Sequence, residues 1–244
     1  PDIMVDSTSL LVRTTDSEVE RYTGFNAANS RYLRVTQQSW VEQMLISQSL
    51  AGNMRFPGLR DSDLEVRYTY SRASQYAPDE RSTRYDHSSN EAEEYDPDLA
   101  RWSDRPEAGA RSYTDVTDNI HDAAVQINLP VFWFSNQSAD FLELGTQAVF
   151  RSRDANTRSF WLKFSESQID PAIRGIDDPE QIFTEENIGE QFDLQETTIP
   201  SDNYTANQQL VAGYATADVL LLGSLRANIG LRAEYSRQEI NTFS

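Results

Sequence analysis

Polar and apolar positions alternate over long stretches of this chain. In 225–236, Leu225, Ala227, Ile229, Leu231, Ala233 and Tyr235 fall on one side, and Arg226, Asn228, Gly230, Arg232, Glu234 and Ser236 on the other. The same period of two runs through Leu64, Val66, Tyr68 and Tyr70, through Ala123, Val125, Ile127, Leu129 and Val131, and through Leu142, Leu144, Ala148 and Phe150. Side chains of a strand point to opposite faces in turn, so this pattern predicts β-strands with one apolar and one polar face. Ser9–Thr15 and Arg31–Phe56 also have strand character. The apolar side there switches near Val41–Met44, which predicts a bulge. The expected fold class is all-β, with about seven antiparallel up-and-down strands.

The connections are expected to alternate in length. Phe56–Asp63 (with Pro57-Gly58), Trp133–Ala139 and Leu221–Ser224 read as short turns, and 78–118 and 165–203 as long loops. Asp178-Pro179-Glu180-Gln181 has an N-cap followed by Pro at the first helical position, with Gly189 a plausible stop, and Asp96-Pro97 offers a second start. Charge singles out the same two loops. Segment 78–118 has 12 acidic and 5 basic residues, and 165–203 has 11 acids and one base, Arg174; the rest of the −18 chain is nearly neutral. Two acidic inserts in a balanced framework argue against nucleic-acid binding.

Alternation alone fits two architectures. A soluble β-sandwich would turn the apolar face inward, whereas a membrane barrel would turn it toward lipid around a wet lumen. No run of apolar residues is long enough for a spanning helix, but most alternating runs approach the roughly 9–11 residues of a spanning strand. Long charged groups on the polar faces favour the barrel, as do the aromatics of Phe132-Trp133-Phe134 and Phe160-Trp161, which would suit an interfacial girdle. The chain contains no cysteine, which excludes disulfides and Cys-based metal sites. It begins at Pro1 without Met or leader and reads as a piece of something longer.

Candidate chemistry is sparse. His87 and His121 stand alone, without a Ser or Cys motif, and no enzyme site is expected. The acidic clusters Glu91, Glu93, Glu94, Asp96, Asp98 and Asp177, Asp178, Glu180 carry the oxygen ligands Ca²⁺ prefers, but in no EF-hand spacing; solvated loop carboxylates are the simpler reading. On the polar strand faces Arg67, Glu143, Arg226, Arg232 and Glu234 are the candidate contacts to a solute or a plug. A structural ladder of opposite charges is the plainer alternative.

Leu64–Arg84 contains Tyr68-x-Tyr70-Ser71-x-Ala73 followed by Pro78-Asp79-x-Arg81. Leu142–Arg153 has a glycine, Gly145, and ends in Arg151-x-Arg153. Asn203–Ser236 contains Tyr204-x-Ala206, Ala212-x-Tyr214 and Gly230-x-Arg232-x-Glu234, and Glu42–Phe56 carries Gly52. In this order the motifs resemble the barrel of TonB-dependent outer-membrane receptors over roughly 40–240. Nothing resembles the plug or the TonB-contacting box, and about seven strands stand against about 22 in plugged outer-membrane transporters. The resemblance therefore implies one partial β-barrel domain over 1–244, with the plug and the remaining strands absent. It implies a receptor in the bacterial outer membrane that takes up a scarce solute (a metal chelate, vitamin or oligosaccharide). Its partners would be outer-membrane lipid and, through the plug, the TonB energy-coupling protein, with no cofactor. The alternative is a soluble acidic β-sheet module for binding or adhesion.

Overall fold

The computed structural model describes residues 2–131, 140–165, 169–221 and 225–242. Nine strands form one antiparallel sheet that does not close. Seven are long: β1 (Asp2–Asn26), β2 (Arg31–Phe56), β3 (Ser62–Ser88), β5 (Gly109–Val131), β6 (Asp140–Phe164), β8 (Tyr204–Leu221) and β9 (Leu225–Thr242). They follow one another up and down in chain order. Two short strands prolong the ladders: β4 (Arg101–Trp102) pairs with β3 beyond the end of β5, and β7 (Phe192–Glu196) pairs with β6 beyond the end of β8. All described strands belong to this one sheet.

The inserts are shorter than the charge pattern implied. Residues 78–88 are strand β3 and 109–118 are strand β5, leaving 89–108 as the connection. Acidic residues such as Asp79, Asp86, Asp115 and Asp118 are therefore strand residues that charge counting swept into a loop. Segment 165–203 holds β7, α1 (Pro171–Arg174) and α2 (Pro179–Ile182). Asp178 caps α2 through a bond from the Glu180 amide (3.1 Å), as expected. That helix ends at Ile182, and Gly189 lies instead in a later turn at φ +94°. Asp96-Pro97 opens a capped turn without a helix, the Asp96 carboxylate accepting from the Asp98 amide. A bulge exists, but in β3. Between Ala77 and Glu80 that strand has one residue more than β5, and it likewise exceeds β2 opposite Gln38–Glu42; Pro78-Asp79 is the inserted step.

Long connections share one end of the sheet, joined there by the tight 27–30 turn of the β1–β2 hairpin. The turn after Phe56 lies at the opposite end, where Val131 pairs with Asp140 and Leu221 with Leu225. Residues 132–139 and 222–224 are outside the described residues, and with them the aromatics of Phe132–Phe134.

Register fixes the faces. Val66, Val125, Thr146, Gly213 and Ala233 stand in one hydrogen-bonded row. Ile127 and Ile229 lie an even number of residues from that row, so Val66, Ile127 and Ile229 share one face, as the alternation predicted. This apolar face is the more open one: Ile229 is 70% exposed, Leu231 79% and Val211 46%, while Ala212 on the polar face is 2% exposed. A water-soluble sheet normally does the reverse.

On this face the apolar side chains form a band. On β6 it runs from Leu142 to Phe150, nine residues, and above it come Ser152, Asp154 and Asn156. Its upper margin is an aromatic line: Tyr70, His121 and Phe150 in one row, Tyr68 and Tyr235 in the next row down. Phe160-Trp161, expected in such a girdle, lies ten residues farther along β6, where Phe160 packs on Tyr113 (5.8 Å).

The band crosses the hydrogen-bond rows obliquely. Its upper margin is level with Ser152 at Leu11, with Asp154 at Met44, with Phe150 at Tyr70 and His121, and with Ala148 at Val211 and Tyr235. The short-turn ends drift the same way. Phe56–Ser62 closes level with Leu142, Val131–Asp140 two residues lower, and Leu221–Leu225 two lower again. The short turns thus drift by one residue per strand, roughly 3.3 Å along against 4.8 Å across or about 35°, and the band margin by about two-thirds as much.

The only buried hydrophobic cluster among the described residues sits at the long-loop end. Tyr85, Ala100, Trp102, Ala108, Ile182 and Phe192 form it, with Phe164, Ile173, Ile176 and Phe183 around them. The inserts thus fold as a cap packed on the upper sheet.

Candidate functional site

Arg67, Glu143, Arg226, Arg232 and Glu234 all project from the polar face, since each has the opposite parity to the apolar residues of its strand. A groove of about 460 Å³ brings Arg67, Gln126, Gln147, Tyr214 and Arg232 together. At its centre Tyr214 lies across its strand partner Gly145, where a Cβ would come within 2.3 Å of the ring, and its hydroxyl donates to Gln126 Oε1 (2.7 Å). The Gly145 of the Leu-Gly-Thr stretch is therefore the seat of a tyrosine that spans β6 to reach β5. Glu143 stands beside the same hydroxyl.

Arg232 pairs with Glu234, donates to Gln147 Oε1 (3.2 Å) and lies over the Tyr214 ring (5.9 Å). Gln147 in turn donates to Asp122 (3.1 Å). Arg226 lies apart, paired with Asp218. Of the five, three are engaged in ion pairs, Arg226 with Asp218 across the β8–β9 ladder and Arg232 with Glu234 along β9 itself. Arg67 has no ion pair among the described residues and opens onto the groove.

Two carboxylates higher on the sheet explain motif residues whose partners lie far away in sequence. Asp118 receives both Arg151 and Arg153 across the β5–β6 ladder. Asp79, thrown out by the β3 bulge, receives Arg111 (2.6 Å) and Arg81 (2.8 Å). Partial burial would raise the Asp79 pKa, but the hydrogen bonds from the two guanidiniums outweigh it and hold the carboxyl at about 2.

A second cavity, about 600 Å³, lies between the cap and the upper sheet. Register places its floor on the apolar-face side, beyond the band: Arg34 and Gln38 on β2, Arg81 and Tyr85 on β3, Arg111 on β5, Phe160 on β6. The cap carries its own carboxylates to that floor. Asp177 pairs with Arg34 and Glu180 with Arg81, while the Tyr85 hydroxyl donates to the Ile176 carbonyl (2.9 Å). Asp177, Asp178 and Glu180 thus serve as two salt-bridge partners and a helix cap. Among the described residues no group of three His, Asp or Glu converges as metal ligands.

Both histidines have structural settings. His87 is buried beside Tyr32 and Tyr95; its Nε2 accepts from the Asp96 amide (2.9 Å), so its Nδ1 is the donor toward the Ser88 carbonyl (3.0 Å). His121 stands in the aromatic line with its Nδ1 bonded to the Tyr68 hydroxyl (2.8 Å). Sequence reading missed the cap cavity, whose lining comes from seven separated segments and has no local signature. Comparison of the chain with protein-family models, with curated proteins and with solved structures returns no match.

Proposed function

We propose that this chain is part of the wall of an outer-membrane β-barrel receptor of the TonB-dependent kind, taking up a scarce solute rather than catalysing a reaction. One observation carries the reading: an exposed apolar band about nine residues tall, edged by aromatics and drifting with the short turns across the hydrogen-bond rows. A membrane barrel with tilted strands needs such a band, level with the bilayer and oblique to the rows. The polar face, with its groove around Tyr214, is then the lumen side. The unpaired edges of β1 and β9 are where the rest of the wall would pair. Energy coupling through TonB rests on the motif resemblance alone, and would act through a plug not represented in this chain.

The test is lipid contact, read with single fluorescent probes at Ala227, Asn228, Ile229 and Asn156 in the whole protein in bilayers. Lipid-borne quenchers are expected to reach the probes at 227 and 229 and to miss those at 228 and 156. Quenching at none of the four would remove the membrane assignment and leave a soluble acidic β-sheet module for binding or adhesion.

A further inference from the structure

Arginines on the apolar-face side of the long strands are almost all matched by a carboxylate. Arg13 pairs with Glu42, Arg111 with Asp79 and Arg237 with Glu239, and Arg34, Arg81 and Arg158 are held in the same way. Arg21 and Arg72 are the exceptions: neither makes a hydrogen bond or ion pair with the described residues. Arg21 lies far above the band, beside the cap. Arg72 stands at its edge. It is exposed, two residues above Tyr70 on the same face of β3, with Ile46 of β2 and Asn119 of β5 as its ladder partners. None of the positions around it on this face, from Met44 and Ile46 to Thr117 and Asn119, is acidic.

Two neighbours add hydrogen-bonding groups that the protein leaves unused. The Asn119 carbonyl oxygen accepts from the Tyr70 hydroxyl (3.0 Å), and its amide nitrogen has no acceptor among the described residues. Nδ1 of His121 is taken by the Tyr68 hydroxyl (2.8 Å), and its Nε2 has no partner among them. Arg72 and Asn119 are direct ladder partners, as are Tyr70 and His121 in the row below, and facing pairs in a ladder have Cβ atoms roughly 4.5–5.5 Å apart. The unused groups therefore form one patch on the aromatic line.

Height decides what the patch meets. A lone cation at the rim of hydrocarbon is costly unless its head reaches the interface and finds a counter-charge. The groups at that height in a bilayer are lipid headgroups, and a guanidinium fork matches a phosphate in charge and shape. The patch lies toward the long-loop end, the exterior end of an outer-membrane barrel.

We infer that Arg72, with Asn119 and His121 beside it, binds the phosphate of an anionic lipid in the outer leaflet. The inference rests on the membrane reading and adds to it a site for one class of headgroup.

The test uses the whole protein in phosphatidylcholine bilayers with a fluorescent probe at Ser152, the exposed β6 partner of Asn119 on the same face. Dibrominated phosphatidate and dibrominated phosphatidylcholine are compared as quenchers at equal mole fraction, and a probe at Ile229 in mid-band reports bulk lipid. The two lipids should quench alike at Ile229. At Ser152 phosphatidate should be preferred roughly fivefold, the effect of one cation close to a charged headgroup, and the preference should fall with salt. Arg72→Gln should abolish the preference without changing quenching by phosphatidylcholine. Arg237→Gln, which removes a charge that Glu239 already holds, should keep it. Equal quenching at Ser152 while both lipids reach Ile229, a preference that survives Arg72→Gln, or one lost equally with Arg237→Gln would overturn the inference and leave the membrane reading standing. Quenching by neither lipid at Ile229 would overturn both.

Discussion

Ile229→Arg separates lipid from water at the apolar face. Ile229 lies near the middle of the band on β9, which runs from Leu225 to Tyr235, and its side is 70% exposed. Because so little of it is covered by protein, an arginine there displaces no packed neighbour. In water the substitution belongs with surface changes, within about 0.5 kcal/mol of the parent. In hydrocarbon near mid-band it costs roughly 2–4 kcal/mol, a factor of about 30 to 1,000 in the folding equilibrium. Asn156→Arg is the matched control: same face, exposed, six residues beyond Phe150 on β6. Both are scored by urea titration of the whole protein refolded into liposomes, where folded and unfolded forms run differently on unheated gels. The expectation is a loss of 2–4 kcal/mol for Ile229→Arg and under 0.5 for Asn156→Arg. Equal effects, or an Ile229→Arg protein as stable as its parent, would refute the lipid-facing band.

Gly145→Ala drives a methyl into the Tyr214 ring and is expected to cost about 1–3 kcal/mol, with loss of the Tyr214–Gln126 contact visible as a changed tyrosine environment in near-ultraviolet circular dichroism. Arg232→Ala should leave assembly intact and alter solute uptake only mildly, because Glu234 and Gln147 open onto a groove that water can fill; failure to assemble would contradict the wet-groove reading. Asp79 is depressed from 3.8 to about 2 in the folded chain, so its contribution is present above about pH 4 and disappears as pH falls toward 2. Discounted for the partial exposure of all three partners it is worth roughly 1 kcal/mol. Hydrogen exchange in upper β3 and β5 should therefore be faster in Asp79→Asn at pH 7 and converge with the parent near pH 2. Protease added to intact cells is expected to cut within 89–108 or 165–203 and to spare 57–61.

How much could be read in advance differed between the lower and upper sheet. Below the aromatic line, period two gave the strands and their common face, because one face meets a uniform environment and each residue reports it locally. The Pro57-Gly58 reversal was equally legible: the turn runs through Pro57–Leu59 and then Arg60 and Asp61, both at positive φ. Above the line the period fades, since each strand residue there meets a particular partner. Asp79, Asp86 and Asp118 look like loop acids in sequence, and only the neighbouring strands reveal their arginines. The cap cavity was illegible for the same reason. Parity placed all five polar-face residues, while the partners of Arg226 and Arg232 needed the structure.

Alternation by itself could not say what touches the apolar face, because a core and a lipid both reward the same residues. The two environments differ in geometry. A second packed layer would cover the face wherever the strands are long, and would have no reason to stop after nine residues on β6 or eleven on β9, strands of 25 and 18 residues. It would also leave the polar face as the better exposed one, contrary to Ala212 and Ile229. A bilayer has fixed thickness and a fixed plane, so the band must end at the same height on every strand, whatever the strand's length. On strands tilted by about 35° a constant height means a different residue level on each ladder. The band margin moves from Leu11 to Tyr235 by four residue levels over six strand steps, and the short turns move by four levels over the four steps from the β2–β3 hairpin to the β8–β9 hairpin. Two independent features, one of side-chain chemistry and one of chain reversal, drift in the same direction, and a shared plane accounts for both.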